Sequence, residues 1–337
     1  MQKKSYNTRL WQCRCQAGQH CQKPYLDVAL LEKDLGTSFH LLKHGLKPFV
    51  NMATQFCNPL TCTMGRNSII SDRARISAVQ QPGSEFANES GKVTLRIGRP
   101  TGRRDPCCAV LNPEGRKDLN QMPSLHIYTA DGLIIHRTDT YDMDDVMILM
   151  SNDHDHEVDV ANSSPVADNI VSLTAYRQAR KPWHERSRPD HFDDFLDDGG
   201  IRRCQLLASM RDSSVMPVLK DVLPWFLEYL VQYRYPFTRI VPQAGILQAS
   251  TGSIDYLSIE DGLIFIYSGE SIMVMDLSAV WNVWAVDYMQ AGKSALALEL
   301  YDDTGTCMAV LTGVHNAGNQ TDIMWNRLVS SLPRLEY

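Results

Sequence analysis

Arginines with carboxylate-binding potential are concentrated in one short stretch of this chain. Arg96, Arg99, Arg103 and Arg104 crowd the segment LRIGRPTGRR. A guanidinium presents a rigid fork of donors that matches a carboxylate, so the segment could hold an anionic ligand. The bland alternative is a solvated basic loop. Two other clusters carry metal-ligand types. Cys13, Cys15, His20 and Cys21 could take a soft metal. They lack the paired spacing of a zinc finger, which favours reduced thiols without a metal. His154 and His156 in NDHDHE could chelate together with Asp153, Asp155 or Glu157. Such a charged run reads more readily as a solvated linker. The chain has no phosphate-cradling GxxxxGK[ST] loop, G-x-S-x-G elbow, dinucleotide fingerprint or H-E-x-x-H pair.

The elements that must position these residues follow from composition and periodicity. The chain has 337 residues, 44% hydrophobic and 21% charged, with a net charge of −6. That composition supports a globular core, and the length suggests two domains. The acidic balance argues against broad binding to nucleic acid or anionic membranes. No apolar run approaches the ~20 residues of a bilayer span. The basic N-terminal stretch has no apolar core behind it, unlike an export signal, so the expected location is the cytoplasm. Nine cysteines, an odd number, do not suggest a disulfide framework.

Residues 1–24 read as a flexible tail. Residues 25–150 read as a first unit, with helical spacing to about Phe56 and strands after it. Residues 151–205 are rich in charge, Pro, Ser and Gly and read as a linker. Residues 206–337 read as a second unit: a helical block from about Gln205 to Gln232, seven strands between Ile246 and Thr312, and a closing helix over about Thr321–Leu332. Each unit ends its meander with a similar hairpin, SLHIYTADGLIIHR in the first and ALELYDDTGTCMAVL in the second. Aligning Leu125 with Leu298 lays Tyr128 on Tyr301 and Gly132 on Gly305. The reading is an internal duplication of α+β class, two tandem repeats each built on a large antiparallel sheet with flanking helices.

Several stretches resemble the HemS/ChuS haem-utilisation family. VALLEKDLGTSFHLL and LTCTMGRNSIISDRARISAV resemble its opening, VTLRIG its "idLRlf" strand, and MPSLHIYTADGLIIHR its hairpin. DLSAVWNVWAVD and ALALELYDDTG resemble the corresponding parts of its second repeat. The resemblance implies two repeats and a haem cleft beside the second. It further implies an axial histidine from the helix that opens the second repeat and an arginine from the "LRlf" strand of the first.

Carried over residue by residue, that arginine is Arg96. The family's axial histidine falls on Ser214, within ASMRDSSVMPVLKD, where Pro217 is expected to distort the helix. Serine is a poor haem-iron ligand beside His, Cys, Met or Tyr. His191 is the leading substitute; His184, Met210, Met216 and Tyr229 are further donors. Tyr229, Tyr233 and Tyr235 could stack on a porphyrin or pack in the core. Trp281 matches a family tryptophan and is expected in the core, with Trp284 on the opposite strand face. His136 is expected to be structural, and His126 to face away from its strand neighbours. The resemblance thus implies a cytoplasmic haem-binding or haem-trafficking protein, with a haem-uptake transporter or haem oxygenase as partner. The alternatives are a haem-degrading enzyme with a substitute ligand, and an interaction protein that kept the fold without haem.

Overall fold

The computed structural model describes residues 55–56, 59–80, 93–97, 107–111, 124–128, 134–139, 195–196, 199–210, 214–290, 293–314 and 320–335. The expected tail, the helices before Phe56 and most of the expected linker lie outside the described residues. The first half contributes β1 (Leu60–Met64), β2 (Ser68–Arg73), β3 (Ile76–Gln80), β4 (Val93–Ile97), β5 (Cys107–Leu111), β6 (Ser124–Tyr128) and β7 (Ile134–Asp139). The second half opens with α1 (Ile201–Ser209), β8 (Val215–Val218) and α2 (Leu223–Gln232). Its meander runs through β9 (Phe237–Gln243), β10 (Ile246–Gly252), β11 (Tyr256–Glu260), β12 (Leu263–Ser268) and β13 (Ser271–Asp276). It closes with β14 (Asn282–Gln290), β15 (Lys293–Tyr301), β16 (Cys307–Gly313) and α3 (Gln320–Ser330).

These strands form two eight-stranded sheets, ordered β11-β12-β13-β2-β1-β7-β6-β5 and β3-β4-β10-β9-β16-β15-β14-β8. The class is α+β and the pairing is antiparallel throughout, except for the parallel pair β3–β4. The sheets are not confined to one half each. β3 and β4 of the first half extend the second sheet by pairing with β10. β11, β12 and β13 of the second half extend the first sheet by pairing with β2. Each half therefore lends strands to the other's sheet.

The duplication survives at the level of register. The β6–β7 ladder shifts between Ile127 and Tyr128, and the β15–β16 ladder shifts between Leu300 and Tyr301. An irregularity of this kind is a specified feature of a strand pair, so its repetition at matching positions marks the two hairpins as counterparts.

The sheets pack face to face. Ile70, Met273 and Met275 of the first sheet share one buried cluster with Val241, Leu298 and Leu311 of the second, together with Phe226 of α2 and Trp325 of α3. On the outer face of the second sheet, α1 and the buried pair Phe195–Leu196 pack over Ile240, Leu247, Ala249 and Val310.

Three expectations need correcting. The helical block from Gln205 is interrupted: α1 ends at Ser209, and β8 intervenes before α2. Pro217 sits in β8, at the edge of its sheet, where a missing N–H is tolerated; it distorts no helix. Trp281 is not in the core. It precedes β14 and is 65% exposed, whereas Trp284 inside the strand is buried.

Candidate functional site

Register decides which side chains share the α1 face of the second sheet. Arg96 lies opposite Leu247, and Thr94 opposite Ala249. Ala249 lies opposite Ile240, Ile240 opposite Val310, and Val310 opposite Glu299. Glu299 in turn lies opposite Trp284. Directly opposed residues project to the same side of a sheet. Arg96, from the first half, therefore shares a face with Glu299, Trp284 and the helix that opens the second half. The strand exchange brings this about, because β4 is hydrogen-bonded into the second sheet.

At one end of this face, α1 plants a buried cation on a buried carboxylate. Arg203 donates from Nε to Glu299 at 2.8 Å and from Nη2 to the other carboxylate oxygen at 2.6 Å. Its Nη2 also reaches the Tyr288 hydroxyl at 3.0 Å. The Tyr288 hydroxyl donates to Glu299, as does that of Tyr301 at 2.5 Å. The Phe195 ring lies 5.2 Å from the Arg203 guanidinium carbon. Burial alone would lower the Arg203 pKa, but Glu299 and the surrounding hydroxyls outweigh it and hold it well above the ordinary value. Burial also pushes the hydroxyls of Tyr288 and Tyr301 well up.

Gly200 lets α1 sit this close. Its φ is +89°, and a Cβ there would fall 2.8 Å from the Phe195 ring and 3.1 Å from the Cys307 Cβ. No side chain fits at that backbone conformation and spacing.

Arg96 marks the other end, fully buried. Four strand spacings separate β4 from β15, roughly 19 Å at about 4.8 Å per spacing. Between the two ends the face is apolar: Leu247, Ala249, Ile240 and Val310. The chemistry of the floor suits a flat aromatic ring and that of Arg96 a carboxylate, but in this structure the floor is covered by α1 and Phe195–Leu196 and Arg96 is buried.

Among the described residues, the iron donors on this face are otherwise engaged. The tyrosine hydroxyls serve Glu299, and burial raises the Cys204 thiol to about 11 and the Cys307 thiol well above its usual value. The side-chain types on this face match the ring and a carboxylate of haem, their burial leaves no open surface for it in this structure, and no free axial donor stands on this face among the described residues.

The candidates named from the sequence distribute as follows. Ser214 lies in the turn before β8, where its carbonyl accepts the Asp287 N–H at 2.8 Å; it is not on a helix. His191 and His184 lie outside the described residues, as do Arg99, Arg103, Arg104, His154, His156 and the N-terminal cysteines. Met210 packs beside α1, and Met216 packs against the inter-sheet core. Tyr229 and Tyr233 stand exposed on α2 with ring centroids 4.4 Å apart, and Tyr235 is buried in the inter-sheet core. These tyrosines therefore lie away from Arg96. His136 is structural: its Nδ1 meets Thr63 at 2.7 Å and its Nε2 meets Thr138 at 3.0 Å. His126 is buried on the opposite side of the first sheet.

The sequence reading missed Arg203 and Glu299. A signal was present, because a lone carboxylate inside the apolar run ALALELY demands a buried partner. It also missed the polar seam between the sheets. Gln248 accepts from Thr63 at 2.8 Å and donates to Asp72 at 2.5 Å. Arg239, also buried, reaches Ser250 at 3.3 Å, and its Nε and Nη1 have no hydrogen-bond partner among the described residues.

No protein-family model and no curated protein matches the chain. Solved structures do. Apo-PhuS, a heme-binding protein from Pseudomonas aeruginosa, superimposes with a TM-score of 0.68 at 16% identity, covering 91% of this chain and 90% of that one. Its holo form gives 0.65 at 18% identity, covering 86% and 85%. ChuS, an E. coli heme oxygenase, gives 0.66 at 14% identity, covering 87% and 88%. The chain has the fold of PhuS and ChuS over most of its length.

Proposed function

We propose that this chain binds haem on the α1 face of the second sheet and acts as a carrier or reservoir in haem-iron utilisation. The observation that carries the reading is the convergence on one sheet face of Arg96 from the first half and α1 from the second, over an apolar floor, in a fold shared with haem-binding PhuS. Arg96 holds a propionate by charge-assisted hydrogen bonds. Leu247, Ala249 and Ile240, covered by α1 and Phe195–Leu196 in this structure, supply the apolar surface once that cover moves aside. His191, four residues before the buried Phe195, is the favoured axial ligand. The bound haem supplies the iron centre, and the protein's own groups orient it and exclude water. The setting is cytoplasmic, with a haem-uptake transporter or a haem oxygenase as exchange partner.

The test is titration of the full chain with hemin, followed by absorbance. A saturable 1:1 Soret band supports the reading, and the absence of saturable binding overturns it. If bound haem loses its Soret band with reductant and releases carbon monoxide, the chain is a degrading enzyme and not a carrier. The complete burial of Arg96 favours a second reading, an interaction protein on the same fold without haem. In that case hemin is neither retained nor taken up.

A further inference from the structure

Helix α2 has two unlike sides. One buries Leu223, Phe226, Leu227 and Leu230 in the inter-sheet core, with the Phe226 ring edge-on to Trp325 of α3 at 5.7 Å. The side turned away from the core carries Trp225, Tyr229 and Tyr233, exposed by 74%, 37% and 58%. Their four-residue spacing makes them one stripe along the helix, and the Tyr229 and Tyr233 ring centroids lie 4.4 Å apart. Single exposed aromatics are ordinary, but a contiguous row of Trp and Tyr is of the kind that anchors protein interfaces.

Charge selects the occupant. Asp221 stands four residues before Trp225, Glu228 at the margin of the stripe, and Arg234 directly after Tyr233; all three are exposed. Among the described residues none of them makes an ion pair. A surface with carboxylates toward one end and a cation at the other complements itself when turned end for end. Let two copies of α2 run antiparallel with Tyr229 over Tyr229. Trp225 of one copy then meets Tyr233 of the other. At a rise of about 1.5 Å per residue, Asp221 lies about 12 Å before this centre, Glu228 about 1.5 Å before it and Arg234 about 7.5 Å after it. Reversed, Arg234 of one copy falls between Asp221 and Glu228 of the other, within reach of both. A partner of uniform charge would leave one end of the stripe repelled.

We infer that the α2 stripe is a self-complementary docking surface on which a second copy of this chain seats antiparallel, about a two-fold axis. The inference stands apart from haem binding, since α2 packs into the inter-sheet core and α1 covers the outer face of the second sheet.

Sedimentation equilibrium of the full-length chain without hemin tests it, over about 1–300 µM, the range of a weak, transient interface. The native chain should pass from monomer to dimer as its concentration rises. Trp225→Ala should weaken the dimer at least about tenfold. The double variant Asp221→Lys, Glu228→Lys should lose self-association, and so should Arg234→Glu, because like charges then meet. Mixed in equal amounts, these two charge variants should form a heterodimer. All four positions are exposed, so urea unfolding should match the native chain and exclude misfolding as the cause. A native chain that stays monomeric over this range overturns the inference. So does a dimer that Trp225→Ala leaves intact, which would use another surface. A mixture of the charge variants that stays monomeric overturns it as well, since the antiparallel pairing of the charges would be absent.

Discussion

The outer faces of the two sheets share a backbone plan and differ in chemistry. Superposing the hairpins by register places His126 on Glu299 and Tyr128 on Tyr301. The β1–β2 and β9–β10 hairpins superpose likewise, laying Ile69 on Leu247. Ile69 pairs with Val274 and Leu247 with Arg96, so the counterpart of Arg96 is a valine. Where the second sheet places a carboxylate and recruits Arg203 to neutralise it, the first sheet places a neutral imidazole. Its nearby ion pair, Arg137–Asp139 at 2.5 Å, leaves the arginine 38% exposed. Duplication copied the register and the bulge. Divergence then placed a fully buried ion pair on one face, the one α1 covers.

The largest expected effect is loss of the buried pair. Arg203 and Glu299 are both 0% exposed. Removing one partner strands the other as an uncompensated buried charge, at a cost of about 3–5 kcal/mol. Arg203→Ala should lower unfolding stability in urea by that order. Arg137→Ala, at the half-exposed pair of the first sheet, should cost under ~1 kcal/mol. Similar losses at both sites would show that the two faces are not energetically distinct.

The second effect is acid lability, and it belongs to the first sheet. Burial lowers the pKa of His126 to about 3, with Arg137 and His136 adding to the shift, and burial lowers His136 to about 3 as well. A histidine whose folded pKa lies below its unfolded value of about 6.5 binds its proton first in the unfolded chain. Stability is therefore fully present above pH 6.5 and falls as the pH drops toward 3. The limiting slope is about 1.4 kcal/mol per pH unit for each histidine. His136→Asn should remove about one proton from the pH dependence measured between pH 6.5 and 5. An unchanged slope would move the acid-sensitive groups elsewhere.

Most strands, the matching hairpins and the α+β class were legible because alternation and turn residues are local signals; β1, β8 and β9 were not read as strands. The exchange of strands between sheets was not, since sequence periodicity says nothing about which edge a strand joins. The region of α1, β8 and α2 was misread for a related reason. Its apolar residues continue in near-helical spacing through VMPVLKDVL, and only pairing with β14 makes 215–218 a strand. Arg96 was named through resemblance, and its role stays a proposal; its burial and its neighbours had no signal in the sequence. Trp281 was misplaced because the resemblance put it in the core, whereas β14 begins only at Asn282.

Hemin binding sharpens the same comparison at a smaller scale. Arg96→Ala should weaken hemin binding by about 1–3 kcal/mol, the worth of a charge-assisted hydrogen bond. Val274→Ala, at the matching position of the first sheet, should leave it unchanged. Spectrophotometric titration of both variants decides. Equal affinities for Arg96→Ala and the native chain would take Arg96 out of the site. A loss in Val274→Ala would place ligand on the wrong face.

The smallest effect is expected at Ser214. The second sheet carries β8 as an added edge strand beyond β14, and Ser214 lies in the turn that leads into it. A ligand to iron must project from a fixed element toward the apolar floor, and the Ser214 backbone is instead held by the Asp287 N–H at the sheet margin. Ser214→His should therefore leave the hemin spectrum as it is and change stability by under about 0.5 kcal/mol, the range of surface substitutions. His191→Ala, by contrast, should abolish the native Soret position. If Ser214→His shifts the Soret band to that of a histidine-ligated haem, the ligand side of the cleft extends to β8. The asymmetry between the faces would then include this edge strand, which has no counterpart in the first sheet among the described residues.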